Sequence, residues 1–235
     1  MKIDKAGNYK KTEGYYNKYG SWYDRERSKG YYEFINNQEI EIVRKYGENK
    51  NVLEIGCGTG IILNEVNKFT SLARGIDLSP GMLEKAKEKK LNVQVANATE
   101  IPFPDNSFDL VYSFKVLAHI PEIKKVIEEA VRVAKDDGIL ILEFYNPYSL
   151  KKITNWAYNL INRRKVYIRY DSLKKIRSYL PKDWKIAEYY GIKILAIGKK
   201  LSTMPIFIAL ERKLSQSLLG RLGGYFVVII EKNEK

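Results

Sequence analysis

The sequence has few of the residues that build metal centres and covalent cross-links. Cys57 is the only cysteine among 235 residues, and His119 is the only histidine. A single cysteine excludes a disulfide framework within the chain and any zinc site with several cysteines. A single histidine leaves no histidine pair for a metal, so no metal is expected. Seven prolines and 16 glycines are too few for a collagen-like or low-complexity chain.

Long apolar runs are also missing. The first residues lack the apolar core of a secretion signal, and Lys199 and Lys200 interrupt the longest apolar-rich tract, residues 192–210. Because a membrane-spanning helix needs about 20 mostly apolar residues, we expect no transmembrane segment and a soluble, cytoplasmic protein, either a monomer or a homodimer. With 45% hydrophobic and 29% charged residues, the chain can bury an ordinary globular core.

Positive charge is distributed unevenly along the chain. Residues 1–147 hold 22 Lys and Arg against 22 Asp and Glu, whereas residues 148–235 hold 19 against 6, which accounts for the whole net charge of +13. Such an excess of one sign indicates an anionic partner, such as a phosphorylated substrate, lipid headgroups or nucleic acid. The alternative is a lysine-rich surface that serves only solubility. The charge distribution leaves both open.

The middle of the chain alternates short apolar strands with helices. Strands are predicted at residues 51–55, 72–76, 92–96, 108–113 and 139–144. Helices are predicted at residues 31–46, at 61–69, from Ser79 onwards and at 120–134. This alternation is typical of a parallel sheet with helices on both faces. Because crossovers between parallel strands are right-handed, we predict a doubly wound α/β fold.

After residue 148 the order of elements is less regular. The pattern predicts helices at 149–162, 171–179 and 205–218, strands near 166–169 and 184–190, and a last strand at 225–230. We therefore expect a helical, basic insertion before the last strands.

Small and polar residues follow the first three predicted strands. The run Gly56-Cys57-Gly58-Thr59-Gly60 follows the first, and its glycines let a ligand approach the main chain closely. Asp77 follows the second strand, 21 residues after Gly56, and suits the two hydroxyls of a ribose. Asn97 and Ala98 follow the third, where an adenine edge could lie. Ligands of open α/β sheets bind beyond the carboxyl ends of strands, so these residues predict a nucleoside site.

The glycine spacing argues against a nicotinamide dinucleotide fold. That fold uses G-x-G-x-x-G, and Ile61 stands where its third glycine would be. Four ordered segments instead resemble the class I S-adenosylmethionine-dependent methyltransferases of the type 11 group, which includes the ubiquinone and menaquinone C-methyltransferases. These segments are VLEIGCGTG (52–60), GIDLSPGMLEKAK (75–87), NATEIPFPDNSFDLVYS (97–113) and LAHIPEIKKVIEEAVRVAKDDGILIL (117–142).

The resemblance implies a seven-stranded, mostly parallel sheet of the Rossmann-like methyltransferase fold. It also implies S-adenosyl-L-methionine as the cofactor and S-adenosyl-L-homocysteine as its product. Four regions are expected: a helical lid at 1–47, a cofactor-binding core at 48–147, an acceptor-side insertion with helices at 148–222, and a closing strand of the same sheet at 223–235.

The resemblance further implies which residues bind the cofactor: Tyr16, Glu54, Gly56, Cys57, Gly58, Asp77, Leu78, Met82, Asn97, Ala98, Thr99, Ser113 and Phe114. In the family the glycine loop passes along the methionine part, above an acidic residue that is Glu54 here, and Asp77 would hold the ribose. Leu78 and Met82 would flank the adenine. Asn97 stands where the family usually has Asp, so we expect its carbonyl to accept from the adenine amine with weakened binding.

Two residues are candidates for catalysis. His119 follows the fourth strand, where some members of the family use a histidine to remove a proton from the acceptor, and where others keep a structural histidine. Tyr19 lies in a tyrosine-rich segment that resembles the family's lid, and packing in the core is the alternative for it. Ala118 stands where the family often has Glu, which leaves the substrate side open. Cys57 is expected for its small size.

The expected function is in-line methyl transfer to a small-molecule or lipid- or glycan-type acceptor that could be anionic. One alternative is an RNA methyltransferase that uses the basic C-terminal part with Arg163-Arg164-Lys165, although no RNA-binding module is recognisable. Another is a non-catalytic, cofactor-binding partner subunit. We expect residues 148–180 to cover the mouth of the site beside His119.

Overall fold

The structure is a computed structural model that describes residues 14, 23–25, 27, 29–149, 152, 167–194, 204–215 and 217–233. Several predictions fall outside these residues. They concern Tyr16 and Tyr19, nearly all of the helix predicted at 149–162, and the basic triplet 163–165.

Seven strands form one sheet in the order β3-β2-β1-β4-β5-β7-β6. Their bounds are β1 Asn51–Ile55, β2 Leu72–Asp77, β3 Asn92–Val95, β4 Phe108–Ser113, β5 Ala134–Tyr145, β6 Trp184–Ile192 and β7 Tyr225–Lys232. Neighbouring strands among the first five are parallel, whereas β7 runs antiparallel between β5 and β6. The predicted seven-stranded, mostly parallel α/β sheet is thus confirmed.

Six α-helices and two 3₁₀ turns accompany the sheet in the described part of the chain. The helices are α1 Tyr31–Gly47, α2 Ile61–Val66, α3 Pro80–Glu88, α4 Ile123–Val133, α5 Leu173–Arg177 and α6 Pro205–Ser215, and the turns are Leu117–His119 and Leu218–Leu222. Serine caps begin α3 and α5. At α3, the Ser79 hydroxyl accepts from the Met82 N–H at 3.2 Å and Pro80 occupies the first turn.

The core lies on both faces of the sheet because side chains alternate along each strand. In β4, Val111 packs into one core cluster, and its neighbours Leu110 and Tyr112 pack into the other. Helix α4 covers the first face with a stripe of buried residues at helical spacing: Ile123, Val126, Ile127, Ala130 and Val133. Helices α1, α2 and α3 cover the second face. The sheet is therefore doubly wound, as predicted.

Three predicted elements differ from the structure. Residues 167–170, the described part of the predicted strand at 166–169, form no strand, because the Arg169 N–H bonds the Ala118 carbonyl instead of a sheet neighbour. The helix predicted at 171–179 is the shorter α5, which Ser172 caps. The helix predicted at 205–218 ends at Ser215, and a 3₁₀ turn follows.

The strand predicted at 139–144 begins earlier, since Asp136-Asp137-Gly138 lies inside β5, which starts at Ala134. The register jumps there: Phe108 pairs with Ala134, and Leu110 already pairs with Ile139. The extra residues of β5 between these two pairs form a β-bulge.

The ends of the last strands meet at the carboxyl edge of the parallel strands. β7 is antiparallel, and its first residue, Tyr225, pairs with Tyr145 at the end of β5 and with Ile192 at the end of β6. The Asn146 amide donates to the carbonyls of Arg221 and Gly223 at 2.8 and 2.7 Å. The turn before β7 is therefore fastened at the edge of the sheet where ligands of such folds bind. Among the described residues, no helix has the length and apolar character needed to cross a bilayer.

Candidate functional site

A cavity of about 140 Å³ lies beyond the carboxyl ends of β1, β2 and β4. Most of the described residues that were predicted for the site line it: Glu54, Gly56, Cys57, Gly58, Asp77, Leu78, Met82, Asn97, Ala98, Phe114 and His119. Residues from the N-terminal helical region, among them Tyr23, Arg27 and Asn36, line it as well. One cavity thus joins the glycine loop, Asp77 and His119.

The loop after β1 requires glycine at two positions. Gly56 has a φ of 74°, and a Cβ there would lie 2.3 Å from Cγ2 of Val116. Gly58 has a φ of 54°, and its Cβ would lie 3.1 Å from Cε of Met82, on the side where Asp77 stands. Both backbones adopt the left-handed region that favours glycine. The loop therefore leaves a bare main chain against the cavity, between Met82 and Asp77.

Asp77 is a half-buried carboxylate that backbone N–H groups hold in place. Its Oδ2 accepts from the Gly58 N–H and its Oδ1 accepts from the Ser79 N–H, each at 2.8 Å. Burial raises the pKa of Asp77, although these backbone hydrogen bonds oppose the rise. A carboxylate has about four acceptor positions, so the side chain can also accept from a hydroxyl group of a ligand.

Glu54 lies under the glycine loop and is 3% exposed. Burial raises its pKa well above the usual range, and the hydrogen bond from the Tyr112 hydroxyl at 3.1 Å opposes this. The nearby Cys57 is buried too, and burial raises the pKa of its thiol well above the usual range. A thiol held protonated is a poor nucleophile. Among the described residues, no cluster of three or more His, Cys, Asp or Glu side chains could hold a metal ion.

Asn97 lines the cavity, but its side-chain carbonyl also accepts a hydrogen bond from within the protein. Its Oδ1 accepts from the Thr99 N–H at 3.0 Å and closes a turn after β3. One lone pair of the oxygen predicted to meet the adenine amine is therefore taken. The structure places Thr99 itself elsewhere: of the described residues predicted for the site, Thr99 and Ser113 do not line the cavity.

The side chain of Ser113 does not line the cavity, although Ser113 was predicted for the cofactor site. Its side chain is fully buried, and its hydroxyl donates to the Ile55 carbonyl at 2.9 Å. The serine therefore ties β4 to β1, while the next residue, Phe114, lines the cavity. Side chains of successive strand residues point to opposite faces, which separates these two neighbours.

Lys115 is a site residue that the sequence did not reveal. It follows β4 with a φ of 62°, lines the cavity, and donates through Nζ to Glu39 at 2.5 Å and to Asn36 at 2.9 Å. Burial alone would lower its pKa, but attraction to Glu39 and Glu143 outweighs burial and raises the pKa. Lys115 therefore carries a positive charge beside the cavity. No sequence signal links it to Glu39, which lies 76 residues away on α1.

His119 ends the 3₁₀ turn after β4 and lines the cavity. Its Nδ1 lies 3.0 Å from the Tyr167 carbonyl oxygen. Because a carbonyl only accepts, Nδ1 carries the proton of the neutral ring and Nε2 is the basic nitrogen. The ring of Tyr145 stands edge-on to the imidazole, with a centroid distance of 6.1 Å.

The described residues 167–171 pack beside His119. Besides the Tyr167 contact, the Arg169 N–H donates to the Ala118 carbonyl at 2.8 Å, and the Asp171 N–H donates to the Tyr145 carbonyl at 2.9 Å. Arg169 and Asp171 form a buried ion pair at 2.6 Å. The charge of Arg169 is thus balanced within the segment.

A family model described as "Methyltransferase domain" matches residues 53–142. The match covers β1 to β5, the glycine loop and Asp77. Residues 53–142 are a class I methyltransferase domain of the type 11 family. An uncharacterised protein of Methanocaldococcus jannaschii is 38% identical over 140 residues, which are 59% of this chain and 53% of the relative. A probable tocopherol O-methyltransferase of Oryza sativa is 30% identical over 165 residues, 61% of this chain and 42% of the relative.

Solved structures agree on the fold. A Thermotoga maritima S-adenosylmethionine-dependent methyltransferase, described as a possible histamine N-methyltransferase, superposes with a TM-score of 0.67 at 18% identity. The match covers 94% of this chain and 98% of that structure. The chain spans about half the length of the curated relatives it matches.

The type 11 family and its fold imply S-adenosylmethionine as the cofactor of this domain, and the residues present fit it. Asp77 offers two fixed acceptors for the ribose hydroxyls. The bare backbone at Gly58 leaves room that a Cβ would fill between Met82 and Asp77. The cavity also holds the buried carboxyl of Glu54 near the loop, where the family binds the methionine part.

Proposed function

We propose that this chain transfers a methyl group from S-adenosylmethionine to a small-molecule or lipid-type acceptor in the cytoplasm. The observation that carries the proposal is the single cavity shared by the Asp77 and glycine-loop side and by His119 and Lys115. One side suits the nucleoside of the methyl donor. The other offers a basic nitrogen and an ammonium donor to an acceptor.

The chemistry asks little of the protein beyond positioning. When bound, the cofactor supplies a methyl group on a positively charged sulfur, which is already an activated leaving group. The residues of the chain then have to hold the acceptor in line with that methyl and to exclude water. Phe114, Val116 and Ile120 give the cavity apolar walls that serve this purpose.

His119 is proposed as the group that takes a proton from the acceptor. The Tyr167 carbonyl fixes the proton on Nδ1, which leaves the lone pair of the neutral ring on Nε2. A hydroxyl or amine acceptor becomes a better nucleophile when a base receives its proton. Lys115 is proposed to donate to a polar group of the same acceptor, because its ammonium lines the cavity and its charge is matched by Glu39.

Relatives support the choice of acceptor class. The Oryza sativa relative is named as acting on tocopherol, a phenol with a lipid tail. A phenol fits the proposed roles, because it has one acidic proton for His119 and a developing negative charge near Lys115.

A labelled-donor screen tests the proposal. The chain is incubated with methyl-labelled S-adenosylmethionine and with separate pools of polar metabolites, lipids and RNA. We expect label in the metabolite or lipid pool and not in RNA, and a strong loss of transfer in His119→Gln. Label in RNA alone would favour the alternative function. Transfer only after addition of a cell extract depleted of small molecules would favour the partner-subunit alternative.

A further inference from the structure

Large apolar side chains are exposed in one region of the described chain. They are Tyr148, Met204, Ile206, Leu210, Leu219 and Leu222, which we call the apolar rim. Ile206 is 69% exposed and Leu222 is 55% exposed. Apart from the rim, Val95 is the one large apolar side chain that the described residues leave exposed, and it lies on β3 at the opposite edge of the sheet. Clustering of this kind marks an interaction surface.

The topology places the rim at the edge of the sheet where the cavity opens. Tyr148 follows the end of β5, while Leu219 and Leu222 lie in the turn before β7, and the Asn146 amide ties these two segments together. Helix α6 packs on that turn and on β6, where its Glu211 carboxylate accepts from the Ile194 N–H at 2.6 Å. The rim and the site therefore share the carboxyl edge of the parallel strands.

Helix α6 leaves part of its apolar surface exposed, while Phe207, Ile208 and Leu214 are half-buried. The positions that are fully buried in this helix are Glu211 and Ser215. Ile206 and Leu210, one turn apart, face solvent instead. A surface helix of a protein whose partner is water buries its apolar stripe and exposes its charges. The exposure of Ile206 and Leu210 indicates that the outer face of α6 meets an apolar phase.

Cations flank the rim. Lys213 is exposed in the last turn of α6 and Arg221 is exposed between Leu219 and Leu222, while the exposed Arg212 pairs with Glu41 of α1. Glu211 is the one acidic residue of the described stretch 204–222, and it is buried. Residues 148–235 as a whole carry 19 Lys and Arg against 6 Asp and Glu. Apolar side chains bordered by basic ones match the two layers of an anionic lipid surface.

We infer that the apolar rim docks the chain on the surface of an anionic bilayer. Ile206, Leu210 and Leu222 would enter the boundary of the acyl chains, while Lys213 and Arg221 would contact lipid phosphates. Docking does not depend on the proposed methyl transfer, because it needs neither cofactor nor turnover.

Vesicle flotation of the full chain tests this inference without any methyl donor. The vesicles contain equal parts of phosphatidylcholine and phosphatidylglycerol, and vesicles of phosphatidylcholine alone serve for comparison. We expect binding to the anionic vesicles that weakens with added salt. Ile206→Ser combined with Leu222→Ser should weaken the binding at least about tenfold, because two large apolar side chains no longer leave water. Val95→Ser, a matched exposed site elsewhere, should bind as the unaltered chain does.

Three results would overturn the inference. The unaltered chain could fail to float with anionic vesicles, or the double variant could float as well as the unaltered chain does. Sedimentation could also reveal a dimer that the double variant dissolves, in which case a second copy covers the rim. Equal thermal unfolding midpoints of the variants and the unaltered chain verify that all of them are folded.

Discussion

The Lys115 ammonium donates to the Glu39 carboxylate at 2.5 Å beside the cavity. Glu39 is fully buried on α1, and Lys115, at the end of β4, is mostly buried. This contact joins the N-terminal helix to the strand end that carries the site. It makes α1 a part of the wall around the acceptor side.

Glu39→Gln should lower the free energy of unfolding by about 3 kcal/mol, because it leaves the buried charge of Lys115 without its counter-charge. Urea denaturation measures the change. Glu41→Gln is the matched control: Glu41 lies on the same helix and pairs with Arg212 at the surface. An exposed pair of that kind contributes less than about 1 kcal/mol. Equal decreases in the free energy of unfolding for the two variants would show that the Lys115–Glu39 contact stabilises the fold no more than a surface ion pair does.

Gly56→Ala should lower the free energy of unfolding by about 3 kcal/mol. The new Cβ would overlap Val116, and an alanine at a φ of 74° is strained by itself. Val116→Ala in the same chain removes Cγ1 and Cγ2 and should recover part of this loss, because the contact with Cβ at 2.9 Å and the backbone strain remain. Chemical denaturation of the single and double variants provides the check. No recovery in the double variant would contradict the geometry of the loop.

Asp171 should make the free energy of unfolding depend on pH in the acidic range. Burial alone would raise its pKa, but the Arg169 guanidinium and the Tyr179 hydroxyl outweigh burial and hold the pKa below its ordinary value of 3.8. A lowered pKa stabilises the folded chain above the ordinary value, and this contribution is lost as pH falls through the folded pKa. Asp171→Asn should therefore cost stability at neutral pH and less at pH below 3.8. A constant cost across that range of pH would refute the pairing.

Much of the fold and of the cofactor side followed from the sequence because their signals are local. Strands such as Asn51–Ile55 are short apolar runs, and the glycines and Asp77 follow strand ends directly. The prediction of a strand near 166–169 was wrong because Val166-Tyr167-Ile168 has the amino-acid composition of a strand. The Arg169 N–H instead donates to the Ala118 carbonyl. This contact depends on tertiary packing, which the local sequence does not reveal.

The acceptor side was less predictable. Lys115 meets Glu39 and Asn36 across 76 and 79 residues, and a single sequence carries no signal for such a pair. Ser113 was predicted for the site from the motif that contains it. Its hydroxyl donates to the Ile55 carbonyl instead, because side chains alternate between the two faces of β4. The outward face of α6 could not be read from its composition, because the same residues would suit a buried helix.

His119→Gln should reduce the rate of methyl transfer by about 10²- to 10⁴-fold and leave cofactor affinity unchanged, because the proposed role concerns only the proton of the acceptor. Gln can still donate to the Tyr167 carbonyl, so the turn should persist. Steady-state kinetics and calorimetry measure the two effects. An unaltered rate would assign His119 a structural role.

Asp77→Ala should weaken binding of S-adenosylhomocysteine by about 2–4 kcal/mol, because it removes two charge-assisted hydrogen bonds to the ribose. Asp136→Ala is the control, since Asp136 is 85% exposed in its side chain and pairs with Lys232 at the surface. Isothermal titration provides both values. Equal affinities of the unaltered chain and Asp77→Ala would show that the ribose lies elsewhere.

Calorimetric titration of the unaltered chain with S-adenosylhomocysteine and with NAD tests the central claim most directly. The cavity, the glycine loop and Asp77 predict binding of S-adenosylhomocysteine in the micromolar range, which corresponds to about −8 kcal/mol, and no binding of NAD. Micromolar binding of NAD with no heat from S-adenosylhomocysteine would contradict the assignment of the site.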